Sequence, residues 1–302
     1  MIIMFENQKS ALNRLNQGYT LMKYTSPVIT VEPEASIHDT LILMQTNFIK
    51  RIVVASKNKP VGVVTERDIS NFLEQDKTAK ALDEIPIKYV MKNAPIIIQD
   101  GLNDHFEQCA TRMETFNIGS VILVNDSGEL IGIVTKTDIT DAFAKIYAGQ
   151  YTVKDHMTKK LITCRKTDSL KYALDMINKN NISRLIVTDN KGNPVGIITT
   201  NTFLTHSDYF TKGQTRTRDY LLPIKSKNLQ VRDLLNDDLL TVEEGEDLAK
   251  AASMMIKNKV SGIPVLDKNK NLVGVIDKSD IVRAFNNVKI NKELSKKYGY
   301  LH

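Results

Sequence analysis

Tryptophan is absent from the 302-residue chain, cysteine occurs twice, and no apolar run approaches the roughly 18 residues a membrane-spanning helix needs. Each gap removes a class of function. With only Phe and Tyr as aromatics, any stacking on a nucleobase depends on few side chains. Cys109 and Cys164 stand far apart, with no Cys-x-x-Cys pair and no His/Cys cluster. That argues against a disulfide framework or a zinc site, and both cysteines read as small buried hydrophobes. The histidines His38, His105, His156 and His206 stand singly, His302 is the last residue, and none pairs with Ser or Cys at a useful spacing. No catalytic constellation emerges, and the expectation is a protein that is not an enzyme and holds no metal. The start, Met1-Ile2-Ile3-Met4-Phe5-Glu6, lacks the basic region and apolar run of a signal peptide, so a cytoplasmic protein without membrane contact is expected.

Charge of one sign is also scarce. The 41 basic and 35 acidic residues leave +6, spread along the chain rather than gathered in an arm. The densest basic stretch, Lys212 to Arg218, permits a nucleic-acid role whose affinity falls steeply with salt, but it reads more simply as a solvated loop.

What the chain does have is a repeat, the first thing to seek in a sequence of this length. Four segments align: Val61-Gly62-Val63-Val64-Thr65 through Asp68, Ile131-Gly132-Ile133-Val134-Thr135 through Asp138, Val195-Gly196-Ile197-Ile198-Thr199 through Thr202, and Val273-Gly274-Val275-Ile276-Asp277 through Asp280. A second β-branched run precedes each, at Ile52–Val54, Val121–Val124, Leu185–Val187 and Ile263–Leu266, across a polar turn such as the one from Asp189 to Asn193. Paired runs of this kind predict hairpins. Upstream, apolar residues at i, i+3, i+4, i+7 predict a helix, as in Leu170, Ala173, Leu174, Ile177 and in Leu248, Ala251, Ala252, Met255. Ile37, Leu41, Met44 and Leu102, Phe106, Ala110, Met113 form the equivalent stripes. Short extended pieces come earlier still, at Val28–Val31, Ile96–Ile98, Leu161–Thr163 and Leu239–Thr241. A second helix follows each hairpin, with Ile69, Phe72 and Leu73 on its apolar face in the first copy.

The expected fold is therefore α/β (α+β), four β-α-β-β-α modules. One such unit buries little core alone, so modules one with two and three with four are expected to pair. The divisions are residues 1–22 as a lead-in, 23–76, 77–148 and 149–210 as the first three modules, and 211–230 as a basic linker. Residues 231–288 form the fourth module and 289–302 a tail that extends a helix or docks on a partner.

The repeated Gly is expected to end a hairpin turn, where no side chain is needed or where backbone must pass closely. The Thr and the carboxylate after it fall at a strand-to-helix junction. Helix capping alone accounts for both. The same junction also suits a nucleotide, since a helix N-terminus favours phosphate and a carboxylate can take both ribose hydroxyls. Thr202 keeps the cap but loses the ribose acceptor, so the third site is expected to be altered or empty. Arg51 and Arg184 open the hairpins of copies one and three, where copies two and four have Ser120 and Gly262. A guanidinium supplied by one module of each pair suits phosphate.

These residues resemble the cystathionine-β-synthase (CBS) domain family, whose tandem pairs form Bateman modules. The resemblance runs from about Lys23 to Asn287 and is carried by Gly-h-h-Thr-x-x-Asp, where h is apolar. It is complete at Gly62 and Gly132, has Asp277 for Thr after Gly274, and departs at Thr202 after Gly196. Four modules in one chain look like the gamma subunit of AMP-activated protein kinase and its stand-alone microbial relatives, which implies two Bateman pairs in a flat disc. By the same resemblance, Asp68, Asp138 and Asp280 hold ribose hydroxyls and Thr65, Thr135 and Thr199 contact phosphate. Arg51 and Arg184 stand where phosphate-binding basic residues occur, and Thr30, Thr163 and Thr241 line the adenine pocket. Two or three working sites are expected, with Asp277 repelling phosphate at the fourth. The implied function is a non-catalytic sensor of AMP, ADP or ATP that signals to a regulated partner protein, or of S-adenosylmethionine, which needs neither Arg51 nor Arg184. The disc is formed within one chain or by a homodimer.

Overall fold

The computed structural model describes residues 28–76, 78–99, 105–205, 216–221, 229–235 and 238–287. The lead-in 1–22, most of the Lys212–Arg218 stretch, Leu102 and the tail 289–302 lie outside the described residues.

Module 1 shows how the local sequence chooses its structure. β2 (Arg51–Ser56) and β3 (Lys59–Thr65) are joined by Lys57 and Asn58, both with positive φ. Two left-handed residues match the right-handed strand twist, which is the geometry of a tight hairpin. The other hairpins use longer turns. In two of them Asp189 and Asp267 fold back onto backbone N–H groups, of Lys191 and Asn193 and of Asn269 and Asn271. A short strand pairs in parallel with the first hairpin strand of each module: β1 (Thr30–Val31) with β2, β5 (Ile97–Gln99) with β6 (Ser120–Val124), β8 (Thr163–Arg165) with β9 (Arg184–Thr188), and β11 (Val242–Glu243) with β12 (Gly262–Leu266). The hairpins are completed by β7 (Leu130–Thr135), β10 (Pro194–Thr199) and β13 (Leu272–Asp277).

Helices α1 (Ile37–Thr46), α3 (His105–Thr115), α5 (Leu170–Lys179) and α7 (Leu248–Lys257) precede the hairpins. Those after them are α2 (Glu66–Gln75), α4 (Lys136–Ile146), α6 (Thr200–Leu204) and α8 (278–287). The described residues of the periodic stripes are buried, apart from half-buried Phe106.

Two findings depart from the sequence expectation. The early strands start later than Leu161 or Leu239, because the chain there is crossing between modules: Thr158 is bridged to Val275 of module 4, five residues before Thr163 joins its own ladder. The second concerns the cores. Modules 1 and 2 do pair, through sheet faces that bring Val53, Ile122 and Val124 together. The two large cores run across those pairs, however. Ile37, Ile69 and Leu41 of module 1 share one core with Leu174, Leu185 and Phe203 of module 3. Met113, Ile139 and Phe143 of module 2 share the other with Met255, Ile281 and Phe285 of module 4. The amphipathic helices have no other apolar surface to cover them. Modules 3 and 4 meet through Arg184, which reaches Asp277 and Ser261, so the modules close a ring in the order 1-2-4-3.

Reciprocal bonds mark a pseudo-twofold axis. Lys136 Nζ donates to Ser279 Oγ at 2.9 Å, and Lys278 Nζ to Thr137 Oγ1 at 3.0 Å. Each lysine opens its helix and each acceptor follows the other lysine, as a twofold contact requires.

Candidate functional site

The four strand-to-helix junctions all face the ring interior, and each is a reciprocal cap. Thr65 Oγ1 accepts the Asp68 amide, while Asp68 Oδ2 accepts the Thr65 N–H at 2.9 Å and its hydroxyl at 2.6 Å. Asp138 Oδ2 accepts both groups of Thr135 at 2.7 Å. Thr199 and Thr202 repeat the box with hydroxyls, and in module 4 Asp277 and Asp280 build it with two carboxylates. Capping is therefore present, but it occupies one oxygen of each carboxylate. The other oxygen points elsewhere: Asp68 Oδ1 to Lys92 Nζ at 3.1 Å, and Asp280 Oδ1 to the Thr158 hydroxyl at 3.0 Å and to Arg283. Asp138 Oδ1 has no hydrogen bond among the described residues.

Lys92 and Thr158 are residues that sequence reasoning missed. They belong to the segments leading into modules 2 and 3, which cross onto modules 1 and 4. In the first case the crossing forms β4 (Lys92–Asn93), paired to β3 with Gly62 opposite Asn93. The repeated glycine exists for this crossing. A Cβ on Gly62 would lie 2.6 Å from Met91 Sδ and 3.1 Å from the Lys92 carbonyl, and one on Gly274 would lie 2.6 Å from Met157 Sδ. On Gly196 it would meet Leu235 at 2.7 Å. The glycine lies inside the strand rather than at the hairpin turn. No local sequence signal marks the crossing; Met91-Lys92 and Met157-Thr158 share only their place just ahead of a module's first strand.

Thr30, Thr163 and Thr241 occupy one register slot. Thr30 faces Val53 and Thr163 faces Ile186, Thr241 immediately precedes β11, and module 2 has Ile97 in this position. Thr30 is exposed, the other two half-buried, and none hydrogen-bonds to the capping carboxylates.

Arg51 and Arg184 are the first residues of β2 and β9, and each reaches into the other module of its pair. Their environments differ. Arg184 Nη1 donates to Asp277 Oδ2 at 2.5 Å and Nη2 to Ser261 Oγ at 2.8 Å. Arg51 lies over Gly119, which offers no side chain, and has no hydrogen-bond partner among the described residues. It stands within reach of the charges of Glu66, Asp68 and Asp138, while burial lowers its pKa. Around the axis Arg51, Arg67, Lys136, Arg184 and Lys278 converge on one another. Burial, aided by Lys50 and Arg184, pushes Lys278 down to about 8, and Lys136 is lowered for the same reason. On the acidic side, burial raises the carboxyls of Glu66 and Asp138. Asp280 is pushed up to about 7 by burial and by Asp277. Burial would raise Asp277 too, but the Arg184 guanidinium and backbone N–H groups hold it below its usual value. Cations crowded together in a partly dry space favour an anion among them.

Among the described residues no cluster of His, Cys, Asp or Glu could hold a metal, and no helix is long and apolar enough to cross a membrane.

A repeated β-α-β-β-α unit with this junction defines the CBS domain, and the family model matches residues 21–75, 87–145, 153–208 and 231–287. The chain belongs to the CBS-domain family, with four copies in tandem. It is similar to protein MJ1225 of Methanocaldococcus jannaschii, 27% identical over 274 residues that cover 85% of this chain and 95% of that one. The crystal structure of MJ1225, put forward as an archaeal homologue of g-AMPK, matches 87% of this chain and 99% of its own with a TM-score of 0.75 and 26% identity. MJ1404 of the same organism is 28% identical over 269 residues, 88% of this chain and 61% of MJ1404, so this chain spans about three fifths of that relative. A conserved protein of Pyrococcus horikoshii shares the fold, with a TM-score of 0.60 at 20% identity over 86% of this chain and 96% of its own.

Proposed function

We propose that this protein is a non-catalytic regulator that binds an adenine nucleotide, AMP, ADP or ATP, between modules 1 and 2 and reports its level to a partner protein. Arg51 carries the reading: a half-buried guanidinium with no hydrogen-bond partner among the described residues, between two carboxylates suited to ribose. Phosphate recognition uses the planar fork of Arg, and the neighbouring axis cations extend the site for a longer phosphate chain. With one oxygen of each holding the helix start, Asp138 offers its second to the ribose hydroxyls, and Asp68 offers one that a ribose would share with the exposed Lys92. Ligand and partner must alter each other's affinity by the same factor.

Calorimetric titration with AMP, ADP, ATP and S-adenosylmethionine tests this. A hydrogen bond to a charged group contributes roughly 1.5–3 kcal/mol, so Arg51→Ala should weaken nucleotide binding by about 10- to 150-fold. Asp138→Ala should remove a binding equivalent. If Arg51→Glu left affinity intact, the ligand would be one without phosphate. No binding of any of the four would leave the carboxylates as caps and sink the proposal.

A further inference from the structure

The pseudo-twofold axis makes the Asp280 cleft the counterpart of the Asp138 cleft, yet three positions beside its arginine differ: Asp277 stands for Thr135, Ser261 for Gly119 and Gly262 for Ser120. We propose that the Asp280 cleft takes an adenosyl compound with no phosphate, its 5′ substituent neutral or cationic, while the Asp138 cleft takes the nucleotide. This rests on the adenosyl-binding reading above and adds a division of labour between its sites.

The case is built on Asp277. Where modules 1, 2 and 3 cap their second helix with the neutral hydroxyls of Thr65, Thr135 and Thr199, module 4 uses a carboxylate. Its Oδ1 accepts the Ser279 amide at 2.7 Å and the Asp280 amide at 3.1 Å. Its Oδ2 accepts Arg184. The helix-start amides and the guanidinium are the donors a phosphate would need. An internal anion already holds them. Ser261 fixes the second arm of Arg184, whereas Gly119, its counterpart, gives Arg51 nothing. Gly262, opposite Asp277 in the ladder, leaves little space as well: a Cβ there would lie 3.0 Å from both Arg184 Nη1 and Asp277 Cβ. An arriving phosphate would meet the Asp277 carboxylate where Thr135 offers a hydroxyl, and an arginine already neutralised by it. A sulfonium or an uncharged 5′ group meets no such repulsion, and Asp280 Oδ1, held by the Thr158 hydroxyl and by Arg283, can exchange one of these partners for a ribose hydroxyl.

The test is calorimetry of the full chain with AMP, adenosine and S-adenosylmethionine, on the protein itself and on Asp280→Ala and Asp277→Thr. Asp280→Ala should remove an equivalent of adenosine or S-adenosylmethionine and no equivalent of AMP. Asp277→Thr installs the cap of the other modules and frees Arg184, so AMP should gain one equivalent, or at least tenfold in affinity at that cleft. Thermal melts, with Asp277→Asn as a second neutral cap, confirm folding and should show the same gain. Loss of an AMP equivalent in Asp280→Ala would overturn this division while leaving the nucleotide proposal standing. So would AMP binding unchanged in both folded Asp277 variants. Failure of every adenosyl ligand to bind any of these proteins would overturn both.

Discussion

The glycine under each crossing segment gives the sharpest test of how the site is built. In Gly62→Ala the new Cβ would sit 2.6 Å from Met91 Sδ, 3.0 Å from Met91 Cγ and 3.1 Å from the Lys92 carbonyl. The methionine can swing away, being unbranched and adaptable. The carbonyl cannot, because Asn93 is paired with Gly62 itself. Forcing a methyl into such a contact costs about 1–3 kcal/mol. At roughly 2–4 °C per kcal/mol for a large domain, a melting point lower by about 2–12 °C is expected. Gly245→Ala supplies the control, since nothing lies within 4 Å of its Cβ and its φ is not left-handed. It should melt within about 0.5 kcal/mol of the parent. Met91→Ala combined with Gly62→Ala should relieve the sulfur clash but not the carbonyl contact, giving a coupling of about 0.5–1 kcal/mol in a double-mutant cycle. Circular dichroism melts read the parent, the two glycine variants, Met91→Ala and the double variant. If Gly62→Ala melted with Gly245→Ala, the crossing segment would not bear on Gly62, and the account of the repeated glycine would be wrong.

Other expectations follow from the same contacts. Asp280, raised to about 7 from an ordinary 3.8, favours its protonated form in the fold, so its contribution is full below about pH 4 and is lost as pH rises towards 7. Urea unfolding at pH 5 and pH 7.5 should show stability falling with pH, with Asp280→Asn flattening that slope; an unchanged slope in Asp280→Asn refutes it. Phe143, wholly buried between modules 2 and 4, should cost about 3–5 kcal/mol as Phe143→Ala, whereas Phe48→Ala, at 83% exposure, should be near neutral by the same urea midpoints. Asn286 Nδ2 donates to the Ala110 carbonyl at 3.2 Å and to Glu114, so Asn286→Ala should cost about 1–3 kcal/mol. A melt equal to the parent's would remove that bond from the 2–4 interface.

Much of the module was legible because its rules are local. Hairpin turns, i/i+3/i+4/i+7 stripes and capping residues act within a few positions, and Leu170, Ala173, Leu174 and Ile177 are buried as their spacing requires. What stayed hidden depends on distant contacts. Nothing local in Met91-Lys92 or Met157-Thr158 says that these residues lie on a different module from the one they introduce. The cross-pair cores were equally hidden, because an apolar stripe shows that a helix is covered but not by which module. At the candidate site, Arg51 and Arg184 look equivalent in sequence, and only Gly119 against Ser261, Ser120 against Gly262 and Thr135 against Asp277 separate them.

The order of the ring also bears on ancestry. Cut between modules 2 and 3, each half would keep its own pairing and expose one side of both cores, the surface a two-module chain would use to join a copy of itself. Tandem duplication of such a gene would yield this ring with its pseudo-twofold axis and the Lys136–Ser279 and Lys278–Thr137 exchange intact. In a homodimer of identical chains, a substitution in one cleft appears in its mate. Once fused, the two halves can drift apart, and Thr135 could remain while its counterpart became Asp277.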